Sequence, residues 1–290
     1  MIMQNKSPQS ILITGCSTGI GLGVALDLHK LGYQVFATAR KLDDINKLKK
    51  LGLNSLQLDV TDSNSINLAL ENILNQTGGT LDILFNNAGY GQVGAVEDLT
   101  KSAIMAQFDT NVFGLLELTN KVLPIMREQG RGKIIVTSSI LGFISLKYRG
   151  AYVASKFALE GLMDALRLEL YDTPISVSII QPGPIRSNFR NTSHDIFNKY
   201  INPQASPHFQ QYQNMQAYYN KQTASNIFEM THHAITKKVV RIIKARRPYA
   251  RYSVTFPTYL FRLLVRILPR FILDKILLKI TQTESKTSSK

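Results

Sequence analysis

The stretch that most constrains what this 290-residue chain can become lies in residues 10 to 30. A short apolar run, S-I-L-I-T, enters G-C-S-T-G-I-G and then a periodic segment, L-G-V-A-L-D-L-H-K-L. This reads as a strand, a glycine-rich turn and a helix. Glycines let a backbone turn tightly and approach a phosphate, and the amides and dipole of the helix that follows favour negative charge. Such a unit can hold a dinucleotide pyrophosphate. Its G-x-x-x-G-x-G spacing differs from the more familiar G-x-G-x-x-G, and by itself it also fits a plain strand-to-helix connection.

The pattern then repeats. Residues 33–38 form a second apolar run, residues 53–60 a third that ends at Asp59 and Val60, and L-D-I-L-F a fourth that enters N-N-A-G-Y-G. The helix after Val60 is capped by Thr61 or Asp62, runs toward Gln76 and ends at Gly78 and Gly79. A single long helix is expected from Leu99 to Gln129, with Thr100 as N-cap, Gly130 as stop, Pro124 kinking its last turns and Asn111 in its middle. K-I-I-V-T-S-S is the fifth strand, and a helix from Gly150 to about Thr173 leads to P-I-S-V-S-I-I-Q and P-G-P-I-R-S. Alternating strands and helices imply an α/β fold, a Rossmann-type doubly wound parallel sheet, here in one domain over residues 8–257.

Hydrophobic residues make up 44% and charged residues 19%, which excludes a disordered chain. The one cysteine, Cys16, excludes an internal disulfide and a cysteine-built metal site, and no metal is expected. The first ten residues lack a signal-type apolar run and no uninterrupted apolar span of membrane length occurs, so the expectation is a cytoplasmic protein.

Chemistry concentrates near Tyr152 and Lys156. Four residues apart on a helix, they lie one turn apart on one face, where an ammonium favours the phenolate and lowers its pKa. Tyr152 is thereby a candidate proton donor and acceptor. Asn111 is either a buried group satisfied locally or part of a site. Ser138 and Ser139 stand at the carboxyl end of a strand, the edge where ligands bind in open α/β sheets. At the end of the second strand, where an acidic residue would read the ribose of NAD, the chain has Ala39, Arg40 and Lys41. Those cations suit a 2′-phosphate, so NADP(H) is the expected cofactor.

Taken together, T-G-C-S-T-G-I-G, N-N-A-G, Asn111, Ser139, Y-V-A-S-K and P-G-P-I closely resemble the short-chain dehydrogenase/reductase family over residues 10 to 187. The resemblance implies a tetrad: Tyr152 as general acid or base, Lys156 lowering its pKa and holding the nicotinamide ribose, Ser139 bonding the substrate oxygen, and Asn111 positioning a water. Ser139 is preferred to Ser138 because it lies thirteen residues before Tyr152, as in the family. The resemblance also implies cofactor contacts from Gly15, Ser17, Ile20 and Gly21 at the pyrophosphate. Asp59 and Val60 would lie near the adenine, Asn87, Ala88 and Gly89 along the ribose, and Pro182, Gly183 and Ile185 beside the nicotinamide. One departure is that many NADP-using members carry a basic residue in the glycine turn, where this chain has Cys16, Ser17 and Thr18.

A-T-A-R, S-S-I-L-G-F-I-S and R-Y-S-V-T-F-P-T-Y are similar to a bacterial branch of NADP-dependent aldehyde and ketone reductases. That branch is itself similar to retinol and 17β-hydroxysteroid dehydrogenases. The implied reaction is reduction of a carbonyl on an apolar body. The alternative is an NADPH-sensing regulator of the same fold that does not turn over.

Residues 188–230 are expected to cover the substrate. Their aromatics, Phe189, Phe197, Tyr200, Phe209 and Tyr212, either line an apolar pocket or pack the lid. Residues 258–280 suggest two short amphipathic helices with Pro269 opening the second, and 281–290 a disordered end. The charge is uneven, with 14 Lys and Arg against Asp274 and Glu284 in residues 231–290. No nucleic-acid motif accompanies it. The basic helices pack on the subunit or on a partner in a homo-oligomer, or else lie on an anionic membrane.

Overall fold

The computed structural model describes residues 8–220 and 227–286. Seven strands form one parallel sheet: β1 (Ser10–Ile13), β2 (Gln34–Ala39), β3 (Asn54–Gln57), β4 (Ile83–Asn86), β5 (Gly132–Thr137), β6 (Ile175–Pro182) and β7 (Arg251–Val254). Their order is β3-β2-β1-β4-β5-β6-β7, so the chain reverses direction across the sheet between β1 and β4. Such a switch point opens a crevice at the carboxyl ends of the strands.

The central strands β1, β4 and β5 are apolar without alternation because both faces of the sheet are covered there. Leu12, Phe36, Leu84, Ile134 and Val177 face α3 (Ser63–Thr77), α5 (Gly114–Glu128) and α6 (Gly150–Glu169) through Ile66, Leu118 and Met163. Their neighbours Ile11, Ile13, Val35, Ala37 and Phe85 face α1 (Gly19–Lys30), α2 (Leu42–Lys50) and α9 (His233–Lys244) through Val24, Leu48 and Val239. Asp62 caps α3 by accepting from the amides of Asn64 and Ser65, which decides between the two expected caps. Gly78 then ends the helix in the left-handed conformation. Lys133 closes the far end of α9: its Nζ donates to the carbonyls of Ile242, Ile243 and Ala245 at 2.5–2.8 Å. Those carbonyls have no partner within the helix, and a cation suits that end of the dipole.

Four expectations need correction. The helix from Leu99 to Gln129 is three pieces: α4 (Lys101–Phe108), a wide turn over Asp109–Phe113 with π-type bonding, and α5. Asn111 lies in the widened turn, and the bulge re-aims its side chain. α6 stops at Glu169 rather than near Thr173. β7 was not foreseen, because R-Y-S-V is too short and too polar to announce a strand, and α9, although Ile235, Val239 and Ile242 recur at helical spacing, was not read either. Finally, α10 (Phe256–Ile267) and α11 (Arg270–Lys286) are the two expected C-terminal helices, but α11 continues over residues 281–286 into the end expected to be disordered; residues 287–290 lie outside the described residues.

Over the strand ends lie α7 (Phe189–Tyr200) and α8 (Phe209–Asn220). Phe197 and Tyr212 pack with Val93, Ala95 and Ile201, and the Tyr212 hydroxyl donates to Asp98 and accepts from the Ala95 amide. Two of the lid aromatics therefore hold the lid down rather than line a pocket.

Candidate active site

The turn between β1 and α1 is shaped by its glycines. A methyl group on Gly15 would lie 2.8 Å from the Ala88 backbone, one on Gly19 2.9 Å from Ser187, and one on Gly21 2.7 Å from the Asn87 amide nitrogen. Gly15 and Gly19 also have φ of 71° and 63°, where side-chain-bearing residues are disfavoured. Thr14 stitches this turn to the end of β4, its Oγ1 accepting from the amides of Asn87 and Ala88 at 3.0 and 2.9 Å. Asn87 Nδ2 donates back to the carbonyls of Thr14 and Gly15. Cys16 is fully buried here, and burial pushes its thiol up to about 12.

Beside the turn opens a cleft of about 280 Å³ at the switch point. Gly15, Ser17, Ile20, Arg40, Asp59, Val60, Asn87, Ala88, Gly89, Tyr152 and Lys156 all line it. Six predicted residues do not. Gly21 lies beneath the turn, and Asn111 and Ser139 are set back behind Tyr90 and Tyr152. Pro182 ends β6, Gly183 abuts Thr255, and Ile185 bridges Met230. The lining also includes Ser138 and Phe189, each given by the sequence only as one of two alternatives, and Ser187, which sequence reasoning did not place there.

α6 presents Tyr152 and Lys156 from its first turns, 8% and 4% exposed. Lys156 Nζ lies 5.7 Å from the Tyr152 ring centre and donates to the Thr137 carbonyl at 2.8 Å. Ser139 hydrogen-bonds Tyr152, and its Oγ accepts from the Leu141 amide at 3.1 Å. That contact favours Ser139 over Ser138 as the partner of Tyr152. Burial nevertheless dominates the phenol and pushes it up to about 12, with the Ser139 bond acting in the opposite direction. The expected lowering of the Tyr152 pKa is therefore not what the protein alone produces. Lys156 is itself drawn down to about 8 by burial, against the pull of the Glu160 carboxylate.

Glu160 lies one further turn along α6, in the series Tyr152, Lys156, Glu160. It is buried, accepting from Gln181 Nε2 at 2.9 Å and Arg251 Nε at 3.0 Å, which ties α6 to β6 and β7. The four-residue spacing was visible in the sequence, but its partner Arg251 sits on a strand that was not. Asn111 is fully buried: Oδ1 accepts from the Tyr90 amide, and Nδ2 donates to the Tyr90 carbonyl and Ser155 Oγ at 3.0 and 3.1 Å. Arg40 is exposed at the cleft's outer end, its Nε 3.9 Å from Asp59.

These observations fit a dinucleotide. The glycines let the turn close down without side chains, Gly15 against the Ala88 backbone, Gly19 against the Ser187 side chain and Gly21 against the Gly15 carbonyl, and Ser138 Oγ is buried at the cleft without a hydrogen-bond partner. A buried hydroxyl left unpaired is costly, which suits a group that a ligand completes.

Residues 9–196 match the family model described as short chain dehydrogenase. The chain belongs to the short-chain dehydrogenase family. Within it the chain is 38% identical over 269 residues to an uncharacterized oxidoreductase, YbbO, of Escherichia coli K12, covering 93% of this chain and 94% of that one. It is 39% identical over 193 residues to human retinol dehydrogenase 8, covering 63% and 61% of the two chains. The crystal structure of a short-chain dehydrogenase from Streptomyces avermitilis superposes with a TM-score of 0.75 at 25% identity, over 98% of each chain. The short-chain dehydrogenase fold and an oxidoreductase role are thereby established for this chain.

Proposed function

We propose that the chain is an NADP(H)-dependent reductase of aldehydes or ketones carried on an apolar body. The observation that carries the reading is the meeting of Tyr152 and Lys156 at one end of the cleft, with Ser139 bonded to the phenol from behind and the Phe189 ring, whose centre is 5.5 Å from that of Tyr152, beside it. Gly15, Ser17, Ile20, Asn87, Ala88 and Gly89 would hold the dinucleotide, with Gly21 keeping the turn tight. Arg40 would meet its 2′-phosphate and Asp59 and Val60 its adenine. Pro182, Gly183 and Ile185 would bound the nicotinamide end.

When bound, the nicotinamide supplies or accepts the hydride. Ser139 and Tyr152 then offer two hydroxyls to one carbonyl oxygen, and Tyr152 gives up its proton as that oxygen becomes an alcohol. A phenol held at about 12 keeps that proton until negative charge develops on its acceptor. The Lys156 ammonium stabilises the phenolate left behind. Asn111, whose side chain holds the Tyr90 backbone and Ser155 in the bulged turn, would position a water for proton resupply to Lys156.

The purified protein is expected to consume NADPH with medium-chain and aromatic aldehydes. Tyr152→Phe should bind NADPH as the parent does while its turnover falls by about 10²-fold or more. Tight NADPH binding without any consumption would instead point to a sensor, and unchanged turnover in Tyr152→Phe would remove Tyr152 from the chemistry.

A further inference from the structure

α10 has two apolar faces: one is buried inside the protein, and the other stays largely exposed apart from edge contacts of Phe256 with Phe228 and of Tyr259 with Lys238. Phe261 turns inward with Leu273 and Leu277 of α11, and these pack with Leu141, Ile144 and Tyr152 itself. The two helices thus roof the catalytic tyrosine. On the other side Phe256, Leu260, Leu263 and Ile267 recur at helical spacing, with Tyr259 beside them, and Phe271 continues the row. Phe256, Leu263, Ile267 and Phe271 are 61%, 56%, 64% and 63% exposed. Single exposed apolar residues are ordinary, whereas Leu260, Leu263 and Ile267 exposed in one row at helical spacing, with Phe271 beyond them, mark a surface that meets something.

Charge selects the occupant. Arg266, Arg270 and Lys275 stand exposed along the stripe, and residues 231–290 carry 14 cations against two acids, 14 − 2 = +12. A second copy seated on this stripe would bring like charges, Arg266 and Lys275, against one another, with only Arg270 balanced by its neighbour Asp274. An anionic lipid surface meets both features at once, accepting the apolar side chains below its headgroups and pairing the cations with phosphates. No helix among the described residues is long and apolar enough to cross a membrane. We propose that the outer face of α10 and the start of α11 dock in the plane of an anionic bilayer. Resting on the carbonyl-reductase reading, a consequence follows: an apolar carbonyl compound enters from lipid, beneath the same helices that roof Tyr152.

The full chain should co-sediment with phosphatidylcholine vesicles containing phosphatidylglycerol and not with phosphatidylcholine alone, and high salt should release it. Leu263→Asp with Ile267→Asp should lower the vesicle partition at least about tenfold, since each loses an apolar insertion. Unchanged NADPH binding and melting would show that this variant is folded. Arg266→Glu with Lys275→Glu offers a second variant with no apolar change and the same expected loss. Retention by anionic vesicles in both variants, or no binding by the parent chain, would overturn the proposal. So would gel filtration showing a dimer that the Asp variant dissociates, which would give the stripe to a second copy. Vesicle binding that follows these rules in a protein turning over no carbonyl would leave the docking standing and remove the reductase reading.

Discussion

Lys156 carries its charge in a place that opposes it. Drawn down to about 8 by burial, it binds fewer protons than the same lysine in the unfolded chain, whose reference value is 10.5. Between those values the unfolded state holds more protons, so folding is favoured as pH rises through the window and disfavoured as it falls toward 8. The stability difference between the parent chain and Lys156→Met, read from urea midpoints, is expected to move toward the parent by roughly 1 kcal/mol between pH 8 and 9. NADPH affinity should run the other way, falling across the same interval as the ammonium is lost. At the opposite end of the cleft, Arg40→Ala should weaken NADPH by about tenfold and leave NADH nearly unchanged, because a cation–phosphate bond is strong even when partly exposed. Equal losses for both cofactors, measured by fluorescence titration, would refute the phosphate contact. Tyr152, Lys156 and the turn glycines could be read in the sequence because a fixed spacing or a backbone need dictates them. Glu160 and Ser187 could not, since each matters only through partners brought from distant segments, Arg251 for the one and Gly19 for the other.

At the scale of elements, the junction of β6, β7 and α10 stores the clearest strain. Thr255, a β-branched residue, sits at φ 77° between β7 and α10, with its Oγ1 3.2 Å from Thr258 Oγ1. Gly183, read in the sequence as a neighbour of the nicotinamide, faces this pair: a methyl there would lie 2.9 Å from Thr258 Oγ1 and nearer still to Thr255. Gly183→Ala is therefore expected to cost about 1–3 kcal/mol in urea unfolding. Gly161→Ala, in α6 with open space around it, should add up to about 1 kcal/mol. No loss at Gly183 would show that the Thr255–Thr258 pair yields to the methyl, and a loss at Gly161 would show that the space around it is not free. The strand–helix alternation was legible up to β6, where buried runs are long and apolar. The wide turn at Asn111 was not, because helical periodicity continues on both sides of it and only the backbone records the extra residue. Nor was β7, whose pairing with β6 is settled by register rather than by its own composition.

For the whole molecule, the seven parallel strands form only through crossovers, and the cleft exists only once β1 and β4 lie side by side and the lid is pinned through Tyr212. That cooperativity gives the single cysteine a use unrelated to the reaction. Cys16 donates its thiol hydrogen to the Ile13 carbonyl at 3.3 Å, beneath the glycine turn. Buried and protonated, it offers no thiolate to an alkylating reagent while the turn is closed. Its labelling rate should therefore track opening of the β1–α1 turn, slow in the native protein and slower again with NADPH bound, and a rate matching that of a free thiol would show that the turn stands open. Each molecule thus carries one chemical clock at the point where the sheet and the dinucleotide would meet, and it needs no engineering to be read.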